Sequence, residues 1–276
     1  MSDNDDVQIG RILTRREVLV FLGAAGTAVT FAACAPGATA NPSSQAASTA
    51  PSGASMGAGA TASQTAIATS SELAGTPSCI VKPALTEGPY FVDEKLRRSD
   101  IVASADGTNV RTGVPLTLAF GVSTVAASGC APLANALVDV WHCDAVGSYS
   151  DITAGGNGNT TGQNWLRGYQ LTDSNGKVSF KSIYPGWYQG RTVHIHFKIR
   201  TDAGASGGTD FTSQLFFDDA ISDAVFANAP YSTKGSRGVR NDGDSIYGQA
   251  GGQLTLALAG DAGSGFTATF EVGLQA

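Results

Sequence analysis

Two of the three histidines in this chain, His194 and His196, stand one residue apart in the stretch GWYQGRTVHIHFKIR, Gly186 to Arg200. Tyr184 and Tyr188 lie just upstream, and the remaining histidine, His142, follows Trp141. Neutral imidazole is the commonest metal ligand among side chains. Two histidines are too few for most sites, so other donors must join them. A His-X-His pair with His142 would make a zinc site. A cupin-like site would want a carboxylate shortly after the second histidine, where Phe197, Lys198, Ile199 and Arg200 follow instead. A ferrous site with two histidines and one carboxylate lacks an Asp or Glu close in sequence. The conspicuous neighbours are phenols. A phenolate is a hard anionic oxygen donor matched to Fe(III), and metal binding would deprotonate it far below its free pKa of about 10.

These side chains need a scaffold that aims them together. Read as a strand, TVHIHFKIR places Val193, Ile195, Phe197 and Ile199 on one face and Thr192, His194, His196 and Lys198 on the other. The apolar face belongs to the core, and the histidines share the opposite face one pleat apart. Further segments alternate or run apolar at strand length: VPLTLAFGVS, ALVDVWHC, KVSFKSI, SQLFFD, QLTLALA and FTATFEVGL. TDSNGKV is a turn signal between two of them. No convincing amphipathic helix is read after residue 76. The expected fold is all-β, an antiparallel β-sandwich with long loops.

The rest of the chain bounds the setting. The formal net charge is -6, and no Lys/Arg stripe stands out, so nucleic acid is excluded as a partner. Only 14% of residues are charged and 35 are glycine, which suits a loop-rich β protein. Residues 1–34 read as an export signal of the twin-arginine type, with Arg15 and Arg16 before an uncharged run and small residues near its end. Cys34 resembles the lipidated cysteine of a bacterial lipoprotein and would tether the protein to a membrane. Residues 35–76 are Ala, Ser, Thr, Gly and Pro with almost no charge, too few apolar side chains to offset ordering entropy, and read as a flexible tether. Residues 77–276 form the expected folded domain. It holds Cys79, Cys130 and Cys143, an odd number for an exported domain, whose pairing stays open.

ALVDVWHCDAVGSYSD, RGYQLTDSNGKVSFKSIYPGWYQGRTVHIHFKI and TEGPYF…RRSDI together resemble the intradiol ring-cleavage dioxygenases, from about Cys79 to the C-terminus and in that family's motif order. The resemblance implies a non-haem Fe(III) cofactor held by two tyrosines and two histidines: Tyr149 in AVGSY, Tyr188 in PGWY, and His194 and His196. Tyr184 precedes the Pro-Gly and falls off the pattern, and His142 has no ligand counterpart. The resemblance also implies catalytic roles for Arg191, Gln214 and Tyr188, and a substrate pocket lined by Pro89 and Thr86. By strand parity Arg191 would face away from the histidines, so the regular strand must start after it, which Gly190 permits.

The implied reaction is cleavage of a catechol-type ring by O2 between its two hydroxylated carbons, giving a muconate-type diacid. Tyr188 is expected to leave the metal when substrate binds, while Tyr149 stays. Two other readings stand beside this one. A secreted β-sandwich binding module would keep the fold without the chemistry. A zinc hydrolase would use His142, although no G-x-S-x-G motif appears.

Overall fold

The alternation in TVHIHFKIR forms a strand, with its two faces buried in different ways. The structure, a computed structural model, describes residues 80–153, 158–201 and 208–275. The export signal, Cys34, the tether and Cys79 lie outside them. Among the described residues nine strands appear in order: β1 (Pro115–Ala126), β2 (Gly129–Pro132), β3 (Leu137–Trp141), β4 (Arg167–Leu171), β5 (Lys177–Ile183), β6 (His194–Arg200), β7 (Asp210–Phe216), β8 (Ala259–Asp261) and β9 (Gly265–Gln275). In one sheet β1 is central, with β9 along one edge and β5 and β2 along the other. The second sheet has the order β4-β3-β6-β7 and is antiparallel throughout. The first sheet is mixed, because β1 and β9 run parallel.

The sheets meet over apolar inward faces. Leu116, Leu118, Phe120 and Val122 of β1 pack with Phe270 and Val272 of β9 and with Ile195, Phe197 and Ile199 of β6. Phe120, Phe197 and Phe270 join the two sheets, with ring centroids 5.3 to 6.1 Å apart. Each such buried ring contributes about 1.5–3 kcal/mol of hydrophobic stabilisation. The all-β sandwich expected from the pattern is therefore present.

Two expectations need correction. Helices α1 (Asp219–Phe226) and α2 (Ser245–Leu254) follow β7, where no helix was read. Each is started by an aspartate N-cap, Asp218 and Asp244, whose side chain accepts two backbone N–H groups of the first turn. The segment QLTLALA, read as a strand, is instead the end of α2, a single bridge from Thr255 to Phe216, and coil leading into β8. Its Leu254 and Leu256 are buried in the core. Three glycines in α2 weaken the helical signal, and tertiary packing with the cap outweighs propensity. Neither helix is long and apolar enough to cross a membrane.

Candidate metal centre

The outer face of β6 is covered by loops. His194 and His196 are 2% and 1% exposed, so they are not a solvated surface pair. The covering segments are residues 86–91, the loop after β3, and the turn that precedes β6.

The loop after β3 is wound around Asp144. Its carboxylate accepts the N–H groups of Val146 and Ser148, and its carbonyl accepts those of Gly147 and Gly186. That last bond ties the AVGSY turn to the PGWY turn. The motif glycines are required there. A Cβ on Gly147 would stand 2.1 Å from the Trp187 carbonyl oxygen, and one on Gly186 would stand 2.5 Å from the carbonyl oxygens of Asp144 and Ala145. The two turns thus stack closely enough to bring Tyr149 and Tyr188 into edge contact, ring centroids 5.7 Å apart.

Around these phenols the donor atoms converge. Nδ1 of His194 donates to the Thr192 carbonyl at 2.6 Å, which leaves its Nε2 lone pair facing the cluster. That Nε2 lies 3.1 Å from Nε2 of His196 and accepts the Tyr188 hydroxyl at 3.1 Å. His196 is stacked flat on Trp141, its register partner on β3, with centroids 5.0 Å apart and planes 7° apart. The hydroxyl of Tyr149 is fully buried with no hydrogen-bond partner. Burial pushes both phenols well above their ordinary range, and it lowers His194 to about 3 and holds His196 well below the usual imidazole range. Two imidazoles held neutral by burial and two phenols, one with an unpartnered hydroxyl, thus stand together. Among the described residues no three His, Cys, Asp or Glu side chains cluster, so a metal held here would take the phenol oxygens beside the two imidazoles. That composition fits Fe(III).

The structure brings most of the sequence-derived residues together and separates the others. β6 begins at His194, and Gly190 has φ +87°, so Arg191 is outside the regular strand and turns toward the histidines. Its Nη1 lies 3.4 Å from Nε2 of His194, its Nη2 donates to Gln214 at 2.6 Å, and its Nε donates to Asp244 at 2.8 Å. Gln214 sits opposite His196 across β6–β7 and donates to the Thr86 carbonyl. The Thr86 hydroxyl accepts the Gly88 N–H, which shapes the turn beneath Pro89, and Pro89 is exposed. His142 is elsewhere: its Nδ1 donates to the Cys143 carbonyl and its Nε2 accepts the Ser182 hydroxyl. Tyr184 points away and bonds Ser222 of α1. Cys130 is disulfide-bonded and Cys143 is a free, buried thiol.

Sequence reasoning missed two participants. Asp244 caps α2, accepts the Thr192 N–H and holds Arg191, linking the helix to the site. The pattern Asp-Ser-Ile-Tyr was a readable N-cap signal. Tyr90, within the quoted TEGPYF motif, stacks on Tyr149 at 4.5 Å and meets Tyr188 edge-on at 5.9 Å. A surface cavity of ≈ 580 Å³ beside Arg97, Asp100 and Lys181 includes none of these side chains.

The chain is similar to several known proteins. Chlorocatechol 1,2-dioxygenase of a Pseudomonas strain is 30% identical over 156 residues, 50% of this chain and 55% of the relative. Catechol 1,2-dioxygenase 2 of Acinetobacter lwoffii is 34% identical over 105 residues, 32% of this chain and 35% of the relative. The chain thus spans at most about half the length of the curated relatives it matches. An intradiol ring-cleavage dioxygenase of Tetranychus urticae superposes with a TM-score of 0.59 at 27% identity, over 71% of this chain and 94% of that one. The profile of the Dioxygenase family matches residues 86–237, which include all four candidate ligands, and this chain belongs to the intradiol ring-cleavage dioxygenases.

Proposed function

We propose that this protein is an exported Fe(III) dioxygenase that cleaves catechol-type rings between the hydroxylated carbons. The observation that carries the reading is the convergence of Nε2 of His194, Nε2 of His196 and the Tyr188 hydroxyl beside the unpartnered Tyr149 hydroxyl. Those four residues would hold the iron. When bound, the ferric ion supplies Lewis acidity toward a chelating catechol and withdraws electron density from its ring.

The chain's own residues divide the remaining work. Tyr149 is fully enclosed beneath Tyr90, whereas Tyr188 is only half-buried and already exchanges a proton-bearing contact with His194. With iron bound Tyr188 would stand as a tyrosinate, and its Oη could then take the proton of an arriving catechol hydroxyl, while Tyr149 stays in place. Arg191, fixed by Asp244 and Gln214, presents positive charge beside His194, where an anionic ring would gather negative charge. Both oxygen atoms of O2 enter the product diacid, so no external reductant is required.

Substrate class follows from the cations. Arg191 is held by Asp244 and Gln214, Lys198 pairs with Glu87, and Arg167 is buried against Ser150. The first two are already paired with carboxylates and the third lies over the Tyr149 ring, so none is placed for a ring carboxylate and neutral catechols are the expected substrates. Export rests on the twin arginines of residues 1–34, and the disulfide of Cys130 suits an oxidising compartment. Cys34 would carry the lipid that anchors the tether.

Oxygen uptake over a catechol panel, with product identification, tests the reading. Catechol should be cleaved at least as well as protocatechuate, to a muconate-type diacid, by a reddish protein. A preference for protocatechuate above about tenfold, roughly 1.4 kcal/mol of discrimination, sinks the substrate class. Extradiol products or a colourless iron protein sink the ferric site.

A further inference from the structure

Arg167 opens β4 directly opposite Trp141 and is 2% exposed. Its hydrogen bonds go only to neutral acceptors. Nε donates to the carbonyl and hydroxyl of Ser150 at 3.2 and 2.9 Å, and Nη2 donates to the same carbonyl at 2.7 Å. Nη1 is buried with no partner. Among the described residues no carboxylate forms an ion pair with it, in contrast to Arg191, Arg200 and Arg237. A buried cation with no ion-pair partner costs several kcal/mol after relaxation, and a guanidinium does not lose its charge to escape that cost. Such a group is retained where an anion is to stand beside it. The guanidinium carbon lies over the ring of Tyr149, 5.9 Å from its centroid. A negative charge on Tyr149 would act on it more strongly than those of Glu94 and Asp151, its other acidic neighbours.

We propose that Arg167 is a positioning residue whose fixed positive charge over the Tyr149 ring weakens that phenolate as a donor and so keeps the bound ferric ion strongly electron-withdrawing. This rests on the ferric reading above. The charge lies on the ring side of Tyr149, so it stabilises the donor electrons more than the metal orbitals that receive them. The ring-to-metal charge-transfer energy is thereby raised. The same charge favours the reduced ion and raises the Fe(III)/Fe(II) potential. Ser150 anchors the charge without neutralising it, since it offers only a carbonyl and a hydroxyl.

The test uses the iron-loaded full chain with Arg167→Gln, which keeps an N–H donor for Ser150, and Arg167→Lys, which keeps the charge. Iron content, the visible band and the Fe(III)/Fe(II) potential are read for each. In Arg167→Gln the band should move to longer wavelength by about 10 nm or more, from the Coulomb energy of one charge at this range, and the potential should fall. In Arg167→Lys both should stay near those of the unsubstituted protein. A Gln variant with full iron and an unmoved band and potential overturns the proposal, as does a Lys variant displaced as far as Gln. Should the Gln variant fail to fold or to hold iron, the Lys variant decides. Band and potential retained support the proposal, and displacement at full iron content overturns it. Absence of any visible band in the unsubstituted iron protein would instead strike the ferric reading itself.

Discussion

The two faces of β6 are equally buried and held in opposite ways. Ile195, Phe197 and Ile199 face the other sheet, where packing satisfies every atom they present. His194 and His196 face the covering loops, where burial leaves their Nε2 atoms crowded 3.1 Å apart and the Tyr149 hydroxyl without a partner. The inner face is complete as it stands, whereas the outer face keeps a buried hydroxyl without a partner, the feature on which the proposed metal site rests. One strand therefore separates the part of the molecule that stores stability from the part that stores unsatisfied donors for chemistry.

The largest expected effect breaks one face and spares the other. Tyr149→Phe removes the stranded hydroxyl and keeps the ring stacked on Tyr90. Turnover should fall about 10³-fold or more, and most of the visible band should vanish. Thermal stability of the metal-free protein should hold or rise, because an unsatisfied buried polar atom is gone. Phe197→Ala should do the reverse. It should cost about 3–5 kcal/mol of folding stability by cavity formation, while the folded, iron-loaded fraction keeps its band position. Activity surviving in Tyr149→Phe, or a displaced band in folded Phe197→Ala, would erase the distinction.

Acid should expose a third kind of burial. His142 is completely buried, hydrogen-bonded on both nitrogens, and lowered by burial from its ordinary 6.5 to about 4. Between those values the unfolded chain binds the extra proton. The stability that His142 contributes is complete above about pH 6.5, is lost as pH falls, and levels off below about pH 4. The total is about 3 kcal/mol. Urea unfolding of the metal-free protein at pH 7 and pH 4.5, compared with His142→Gln, isolates this share. Equal pH slopes in the two proteins would refute it.

Legibility in the sequence followed the same division. Strand parity separated the inner from the outer residues of β6 without help, because a period of two has only two outcomes. The covering loops were harder to read. Nothing in residue type alone separates Tyr188 from Tyr184, and only the Pro-Gly turn between them decides which phenol swings toward the histidines. Arg191 was placed because Gly190 allowed the strand to begin late. Asp244 was missed because its partner Arg191 is 53 residues away in sequence, and a Gly-rich helix hid the cap that announces it. Tyr90 was missed because its role is a ring contact across the fold, which no local spacing encodes.

Asp244 tests how far the outer face depends on the frame behind it. Asp244→Asn keeps an acceptor for the α2 N–H groups and replaces a full charge on Arg191 by an amide dipole. Turnover should drop about 10–100-fold, as for partners that orient a site from behind, with iron content and the visible band nearly unchanged. Burial of the two groups differs, since Asp244 is 3% exposed and its partner reaches toward the histidines, so the loss should appear in kcat more than in metal loading. Iron loss as severe as in Tyr149→Phe would mean that Asp244 holds the metal pocket itself.

The smallest effect is the most pointed. Ile195 lies between the two histidines in sequence, yet its side chain is on the inner face and 0% exposed. Ile195→Val removes one methylene from the core and should cost about 0.5–1.5 kcal/mol. For a folded part of this size that corresponds to a Tm lower by about 1–6 °C. The backbone of β6 is pinned on both sides by its ladders with β3 and β7, so a small inner void should close from the core and leave Nε2 of His194 and His196 where they are. Turnover and band position should match the unsubstituted protein when both are measured well below the transition. A shifted band would show that core volume reaches the donor geometry through the strand, and the two faces would then have to be treated as one mechanical unit.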